Sequence, residues 1–463
     1  MSVGLRGRAV EGSIRADVVV IGGGIAGAAA ALAARRKGRQ VALVRRAWGA
    51  TALSAGLLDL APDPFASPAQ PLGERRDVRG CIRALALRSP RHPWSLLAER
   101  LERLPALLGR AAEESGGRLR FTPLEAENRC VLTPLGTLKT SAGGQDAVLR
   151  GDLHHGGRIG VVGFARHPAW DAELLAASLA ELATVAGLRC GAAAVPTDYL
   201  DRIDDYALRP LQLAARIEKD PDRLVQSIRR ALPPGVDRLL LPPLLGTDDP
   251  APVLAHLEAA LGLPCAELPA ASTAPLPGLR LQRLLEARLE AAGVQLLHGE
   301  ATSDGDVAGL RVTAPLAPIL DPSHFDEGRA TAEPPPPPSH RVEAVAVVLA
   351  TGRYVGGGIR RNGRLRESVF DLPVAIDGGI DPGSWPGSLT SVEKGGEQPA
   401  FRAGVAVDRQ LRPLDRDGTP RDTRLFACGS VLAGNDPARD GAGLGLSWCT
   451  GWLAGEAACG EGG

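Results

Sequence analysis

A short apolar run, Ala16-Asp17-Val18-Val19-Val20-Ile21, ends directly in Gly22-Gly23-Gly24, and Ile25-Ala26-Gly27 then opens an Ala-rich stretch that continues to Lys37. The run suits a strand buried on both faces, the stretch after it a helix closed by Gly38, and Val41 to Val44 a second buried strand. A turn this tight between strand and helix needs residues without Cβ, and it lets the backbone approach a phosphate that rests on the free N–H groups of the helix start. The pattern Gly-x-Gly-x-x-Gly is weak by itself. Strand before and helix after, in register, are the context that gives it meaning.

Nucleotide-binding folds of this kind place an acidic residue at the end of the second strand, about 20 residues on, to bond the adenosine ribose. Here that strand ends Leu43-Val44-Arg45-Arg46. An arginine cannot accept from a ribose hydroxyl, although Arg45 could hold a phosphate. The adenosine half of a dinucleotide loses its usual anchor, which leaves FMN, or FAD held differently.

Two later segments extend the reading. A buried strand, Val342 to Ala350, runs into Thr351-Gly352, the arrangement in two-dinucleotide flavoproteins where the chain crosses the cofactor. Then Cys428-Gly429-Ser430 is followed by Asn435-Asp436 and by Gly441, Gly443 and Gly445, leading into a last helix, Leu444 to Ala458. Small residues there would let a helix N-terminus face the flavin ring and stabilise negative charge on it. Ordinary close packing of glycines is the competing explanation of each segment. The candidate cofactor residues are Gly22, Gly23, Gly24, Ile25, Ala26, Gly27, Arg45, Ser54, Gly56, Thr351, Gly352, Gly429, Asp436, Gly441, Gly443 and Gly445.

Composition excludes several classes. The 463 residues carry 53 basic and 53 acidic side chains, and this zero balance argues against a broad nucleic-acid surface. No apolar run reaches transmembrane length, and the Arg-bearing first fifteen residues lack the apolar core of a signal peptide. The seven Cys are scattered with no CxxC, so no zinc or iron–sulfur ligand set is expected, and a reducing cytoplasm fits.

The sequence resembles the family of flavoprotein B subunits of the anaerobic glycerol-3-phosphate dehydrogenase. The pieces that carry the resemblance run in order: the glycine turn, Ser54-Ala55-Gly56 with Leu58-Asp59-Leu60, Thr133-Pro134-Leu135-Gly136-Thr137, and Leu268-Pro269 with Pro277-Gly278-Leu279-Arg280-Leu281. After these come Ala350-Thr351-Gly352 with Gly356-Gly357-Gly358, then Glu367 and Phe370 before Leu372-Pro373-Val374, and finally Leu425 to Pro437. Departures are the N-terminal extension, a tract of five prolines (Pro334 to Pro338), and Ala or Leu at some glycine positions of the final turn. The resemblance implies FMN as cofactor, with FAD as the alternative. It implies a flavoprotein that relays electrons between two partners. One is the catalytic A subunit, which oxidises sn-glycerol 3-phosphate to dihydroxyacetone phosphate; the other is the iron–sulfur C subunit, which feeds the membrane quinone. The chain would then be cytoplasmic, reaching the inner membrane only through a partner. A free-standing flavin dehydrogenase of the fumarate-reductase type and a scaffold without flavin are the rival readings.

The expected architecture is α/β, a Rossmann-like two-dinucleotide-type flavin-binding fold with an inserted, mainly helical second domain. Residues 1–15 form an extension, 16–60 with 265–316 and 341–463 a discontinuous flavin-binding domain, 61–264 the insert, and 317–340 a proline-rich loop. No catalytic residue is assigned. His154, His155 and His167 are candidate acid–base groups, Arg166, Arg353 and Arg360 candidate anion clamps, and Cys428 a buried apolar residue.

Overall fold

The structure, a computed structural model, describes residues 13–61, 77–165, 169–200, 208–270, 275–313, 339–376, 382–383, 386–391, 393, 396 and 398–460. The opening strand–turn–helix is present as Ser13–Ile21, the glycine turn and helix Ile25–Arg36. The expected extension is shorter than fifteen residues, because Ser13 and Arg15 already pair with Arg341 and Glu343 of the neighbouring strand.

Five parallel strands form the main sheet, in the spatial order Gln295–His298, Val41–Arg45, Ser13–Ile21, Ser339–Leu349 and Leu425–Ala427. Two short strands, Arg311–Thr313 and Glu300–Thr302, add antiparallel pairing beside the start of Ser339–Leu349. The register sets Ile21 against Val44 on one side and Leu349 on the other. The glycine turn therefore leaves the sheet at the same level as Arg45 and Ala350. In a parallel sheet this edge, beyond the carboxyl ends of the strands, is where ligands sit.

Helix Ile25–Arg36 is buried from Ile25 to Ala34, so it needs small side chains all round. Across it lies the C-terminal helix Leu444–Ala458. A Cβ on Gly451 would come within 2.2 Å of the Ala26 carbonyl oxygen, and one on Gly455 within 2.2 Å of that of Ala30. Glycines four apart on one helix thus seat against alanines four apart on the other, and the two backbones nearly touch. Beside this pair, the buried carboxylate of Glu114 accepts from Arg36 at 2.7 Å and from Arg288 at 2.5 Å, tying three helices together.

The region expected to be a helical insert divides in two. Residues from Val78 to Leu124 pack into the same core as the first unit. The rest is α/β, and this corrects the expectation of a mainly helical domain. Strands Gly157–Phe164, Cys190–Thr197, Arg238–Leu241 and Cys265–Glu267 form a second parallel sheet, ordered Cys265–Glu267, Arg238–Leu241, Gly157–Phe164, Cys190–Thr197. The misleading strand was Cys-Gly-Ala-Ala-Ala-Val-Pro-Thr, whose Ala content reads as helix. It lies at the sheet edge, where Pro196 removes no needed hydrogen bond. Of the expected proline-rich loop, only Ser339 and His340 are described, and they belong to a strand. The five-proline tract lies outside the described residues.

One buried ion pair joins the two units. Arg280, on helix Leu276–Ala291, donates to Glu267 at 2.6 Å, with both side chains all but fully buried. Its other N–H groups bond the Gly246 carbonyl at 2.9 and 2.6 Å, while Glu267 accepts from the Leu245 N–H at 2.7 Å.

Candidate functional site

The carboxyl ends of the main-sheet strands open on a cleft of about 410 Å³. Its walls come from the glycine turn, Val44 to Thr51, Gly299 to Ala301, Ala350 to Gly357, Arg360, and the turn from Asn435 to Ser447. Of the residues expected to hold a cofactor, Gly22, Gly23, Gly24, Ile25, Ala26, Arg45, Thr351, Gly352 and Gly443 line it.

The remaining candidates do not line it, and each has a packing reason to be what it is. A Cβ on Gly27 would lie 1.9 Å from the Gly22 carbonyl oxygen, so Gly27 supports the turn from beneath. Ser54 donates to the Thr51 carbonyl at 2.7 Å. Gly56 fits between Gln145 and Pro277, Gly429 against Ala26, and Gly445 against the Asp59 carbonyl. Asp436 caps the short helix Pro437–Asp440, and Gly441, at φ 48°, closes it.

The glycine turn is built as the sequence implies. Gly22 has φ +123°, and a Cβ there would meet the Ala350 carbonyl oxygen at 2.1 Å, so only glycine fits. At the helix start, the Ile25 N–H donates to the Thr51 hydroxyl at 2.9 Å, and no side chain caps from Gly24. The next N–H groups of the first turn are thereby left to the cleft. In the facing wall, the hydroxyl of Thr351 is buried and has no partner among the described residues. A glycine turn with no Cβ in the way, helix N–H groups beyond the one that Thr51 takes, and an unpartnered hydroxyl fit a phosphate-bearing cofactor.

Arg45, read as able to hold a phosphate, lines the cleft but is already engaged. Its guanidinium is paired with Glu286 on helix Leu276–Ala291 and lies 3.4 Å from His298, with little exposure. Gln282, one helical turn before Glu286, bonds both Glu286 and the Gly23 carbonyl, at 2.9 and 2.8 Å. A carboxylate does reach this edge, from the next strand over. Because Gln295–His298 runs parallel to Val41–Arg45, the residues after it reach the same edge, and Glu300 lines the cleft beside Arg46. Glu300 accepts from Arg360 at 2.6 Å and faces Arg46 at 3.8 Å.

Arg353 and His92 organise the other end. Arg353, 8% exposed, donates to the carbonyls of Leu432 and Asn435 at 3.1 and 2.9 Å, and burial pushes its guanidinium down to about 10. Its Nη2 ties the strand end to the loop, while its buried Nε has no partner among the described residues. His92, fully buried, accepts the Trp94 N–H at Nδ1 (3.1 Å) and bonds the Asn435 Oδ1 through Nε2 (3.1 Å). Burial pushes its imidazole down to about 4, with Asp440 opposing and Arg402 and Arg88 reinforcing the shift. The folded state therefore favours neutral His92. This contribution to stability is complete above about pH 6.5 and is lost as pH falls toward 4. Urea melts across that window should show a steeper loss in the native chain than in His92→Gln, and equal slopes would refute the assignment.

His154 and His155 do not reach this cleft. His154 bonds Asp152 at 2.9 Å, and His155 lines a separate depression at the base of the second sheet. Arg166 and His167 lie outside the described residues. Cys428 is fully buried, its thiol pushed up by burial, as its apolar reading requires. Thr51, Glu300 and His92 escaped the sequence reading, and Asn435 was named only as part of the final turn. For Glu300 a signal existed, since parallel strand order alone would have brought Gly299-Glu300 beside Arg45. Among the described residues no cluster of metal-binding side chains occurs, and no helix is long and apolar enough to cross a membrane.

Over 450 residues the chain is 29% identical to the B subunit of the anaerobic glycerol-3-phosphate dehydrogenase of Yersinia pestis bv. Antiqua (strain Antiqua), covering 93% of this chain and 95% of the relative. The protein of the same name from Vibrio cholerae serotype O1 (strain M66-2) is 28% identical over 453 residues, covering 95% of each. Among solved structures, a 3-ketosteroid delta1-dehydrogenase from Sterolibacterium denitrificans superposes with a TM-score of 0.43 at 11% identity, covering 96% of this chain and 99% of that one. The family profile described as FAD binding domain matches residues 17–446, nearly the whole span from the first strand to the last helix, and favours FAD where FMN was expected. The chain belongs to the FAD binding domain family.

Proposed function

We propose that the chain is the flavin-carrying subunit of a quinone-linked glycerol-3-phosphate dehydrogenase. In this role it relays electrons between a catalytic partner of the A type and an iron–sulfur partner of the C type. The cofactor in this reading is FAD. When bound, it supplies reversible two-electron and one-electron transfer. The glycine turn and the start of helix Ile25–Arg36 hold its phosphates. Glu300 accepts from the ribose hydroxyls, the task the second strand leaves undone. The N-terminus of helix Leu444–Ala458, reached through Gly443 and Ser447, favours negative charge on the ring.

One observation carries the relay reading over direct substrate oxidation. Each cation in the cleft wall is already engaged within the chain, Arg45 by Glu286, Arg46 and Arg360 by Glu300, and Arg353 by two carbonyls. A phosphate-bearing substrate would find three of these four arginines committed within the chain, and Arg46, half exposed and 3.8 Å from Glu300, the least engaged. Supporting it, Trp48, Tyr354, Val355 and Phe401 line the cleft with 39–66% of their surface exposed. An apolar rim of this kind suits coverage by a partner protein.

The purified chain should be yellow, and heat should release FAD in place of FMN, as separated by chromatography. Under anaerobic conditions glycerol 3-phosphate alone should leave the flavin absorbance unchanged, and adding the catalytic partner should bleach it. Rapid bleaching of the chain alone would replace the relay with a free-standing dehydrogenase. A colourless chain that takes up no flavin would leave only a scaffold.

A further inference from the structure

His92 and Asn435 are 343 positions apart, yet the hydrogen bonds around them leave the imidazole a single neutral form. Nδ1 accepts the Trp94 N–H at 3.1 Å, so it carries no proton. The proton is then on Nε2, which donates to the Asn435 Oδ1 at 3.1 Å. With its oxygen fixed as acceptor, the Asn435 amide donates from Nδ2 to the Ala442 carbonyl at 2.8 Å. Its backbone carbonyl takes the Arg353 guanidinium at 2.9 Å.

A second contact, independent of these bonds, seats the same loop on the same segment. Gly434 has φ +83°, and a Cβ there would lie 2.2 Å from the Arg91 carbonyl oxygen. The backbone of Arg91-His92 is thus the surface on which the loop rests. Asn435, Pro437, Gly443 and Leu444 all line the cleft, so whatever fixes this loop fixes one wall of it.

We propose that His92 is a positioning residue for the flavin, acting through Asn435 to hold the 435–443 loop and the start of the final helix in the arrangement that receives the cofactor. The proposal rests on the flavin reading above. Protonation of His92 would set an N–H at Nδ1 against the Trp94 N–H, so the loop is held only by the neutral imidazole. The charged groups around it are Asp440, Arg402 and Arg88, and the first two are bonded to each other at 2.9 Å through both carboxylate oxygens.

Two substitutions separate a merely structural role from this one. His92→Asn keeps an acceptor in the place of Nδ1 and so keeps the cap on Trp94, but it is too short to reach Asn435. His92→Gln carries an amide to the place of Nε2 and gives up the cap. Flavin affinity, read by fluorescence titration of the full chain with FAD, should fall about tenfold or more in His92→Asn, as loss of a buried hydrogen bond implies. Its melting temperature should fall no further than that of His92→Gln, and the bound flavin's visible spectrum should shift. His92→Gln should bind FAD within about threefold of the native chain, equivalent to less than a single hydrogen bond, while melting at lower temperature. Native affinity in His92→Asn would overturn the proposal, and so would equal losses of affinity and melting temperature in both variants. If the native chain itself takes up no flavin, the flavin reading fails first and the proposal falls with it.

Discussion

Gly24→Val is expected to fold normally and to lose its flavin. Gly24 has an ordinary φ of −80°, and a Cβ there would meet only the Thr51 hydroxyl at 3.3 Å and the Gly49 Cα at 3.9 Å. The added methyls would stand over the helix start, where the phosphate must approach the N–H groups, and would crowd the hydroxyl that bonds Ile25. Affinity for FAD should fall by about 100-fold or more, equivalent to about 2.7 kcal/mol, with little change in the thermal melt. Gly27→Val is expected to behave differently. From sequence both variants would be expected to stay folded, but a Cβ at Gly27 would lie 1.9 Å from a carbonyl oxygen of the turn itself. That variant should lose the fold along with the flavin. Flavin absorbance per chain and a melt on the same sample give both answers. Full flavin occupancy in Gly24→Val would remove the glycine turn from the site.

The contrast between these two glycines marks the boundary of what was legible. A run of glycines tells a reader that something approaches the backbone closely, but not whether the approaching group is a ligand or the chain. At Gly24 and Gly352 the space opens on the cleft. At Gly429 and Gly445 it is filled by Ala26 and the Asp59 carbonyl. The strand–turn–helix unit was readable because all its determinants lie within about thirty consecutive residues, the scale of a βαβ unit. The edge strand of the second sheet was not, because half of it is Gly and Ala, residues that carry no period-two signal. The engagement of Arg45 was hidden for a related reason. Its type and strand position are local facts, whereas Glu286, which neutralises it, lies 241 positions away on a helix whose docking only the fold decides.

Glu267→Ala is expected to be among the most damaging single substitutions outside the cleft. Removing the carboxylate leaves the Arg280 guanidinium charged, buried and short of its counter-ion, and leaves the Leu245 N–H without its acceptor. Breaking one side of a buried pair in this way costs about 3–5 kcal/mol. The pair itself adds less net stability than that figure suggests, since both charges had to leave water to form it. The double variant Glu267→Leu with Arg280→Met should therefore be more stable than Glu267→Ala alone, although the Gly246 carbonyl and Leu245 N–H still lose their partners. Urea denaturation of the native chain, Glu267→Leu, Arg280→Met and the double variant closes the cycle and isolates the coupling. Hydrogen exchange should locate the damage. Glu267 ends a strand of the second sheet, while Arg280 sits on the helix whose Gln282 holds the Gly23 carbonyl. Loosening the pair should thus raise exchange in the second sheet and also weaken FAD binding from a distance. A Glu267→Ala chain as stable as the native one, with unchanged exchange around Leu245, would mean that the two units are held together by their apolar contacts and that the ion pair is incidental to their docking.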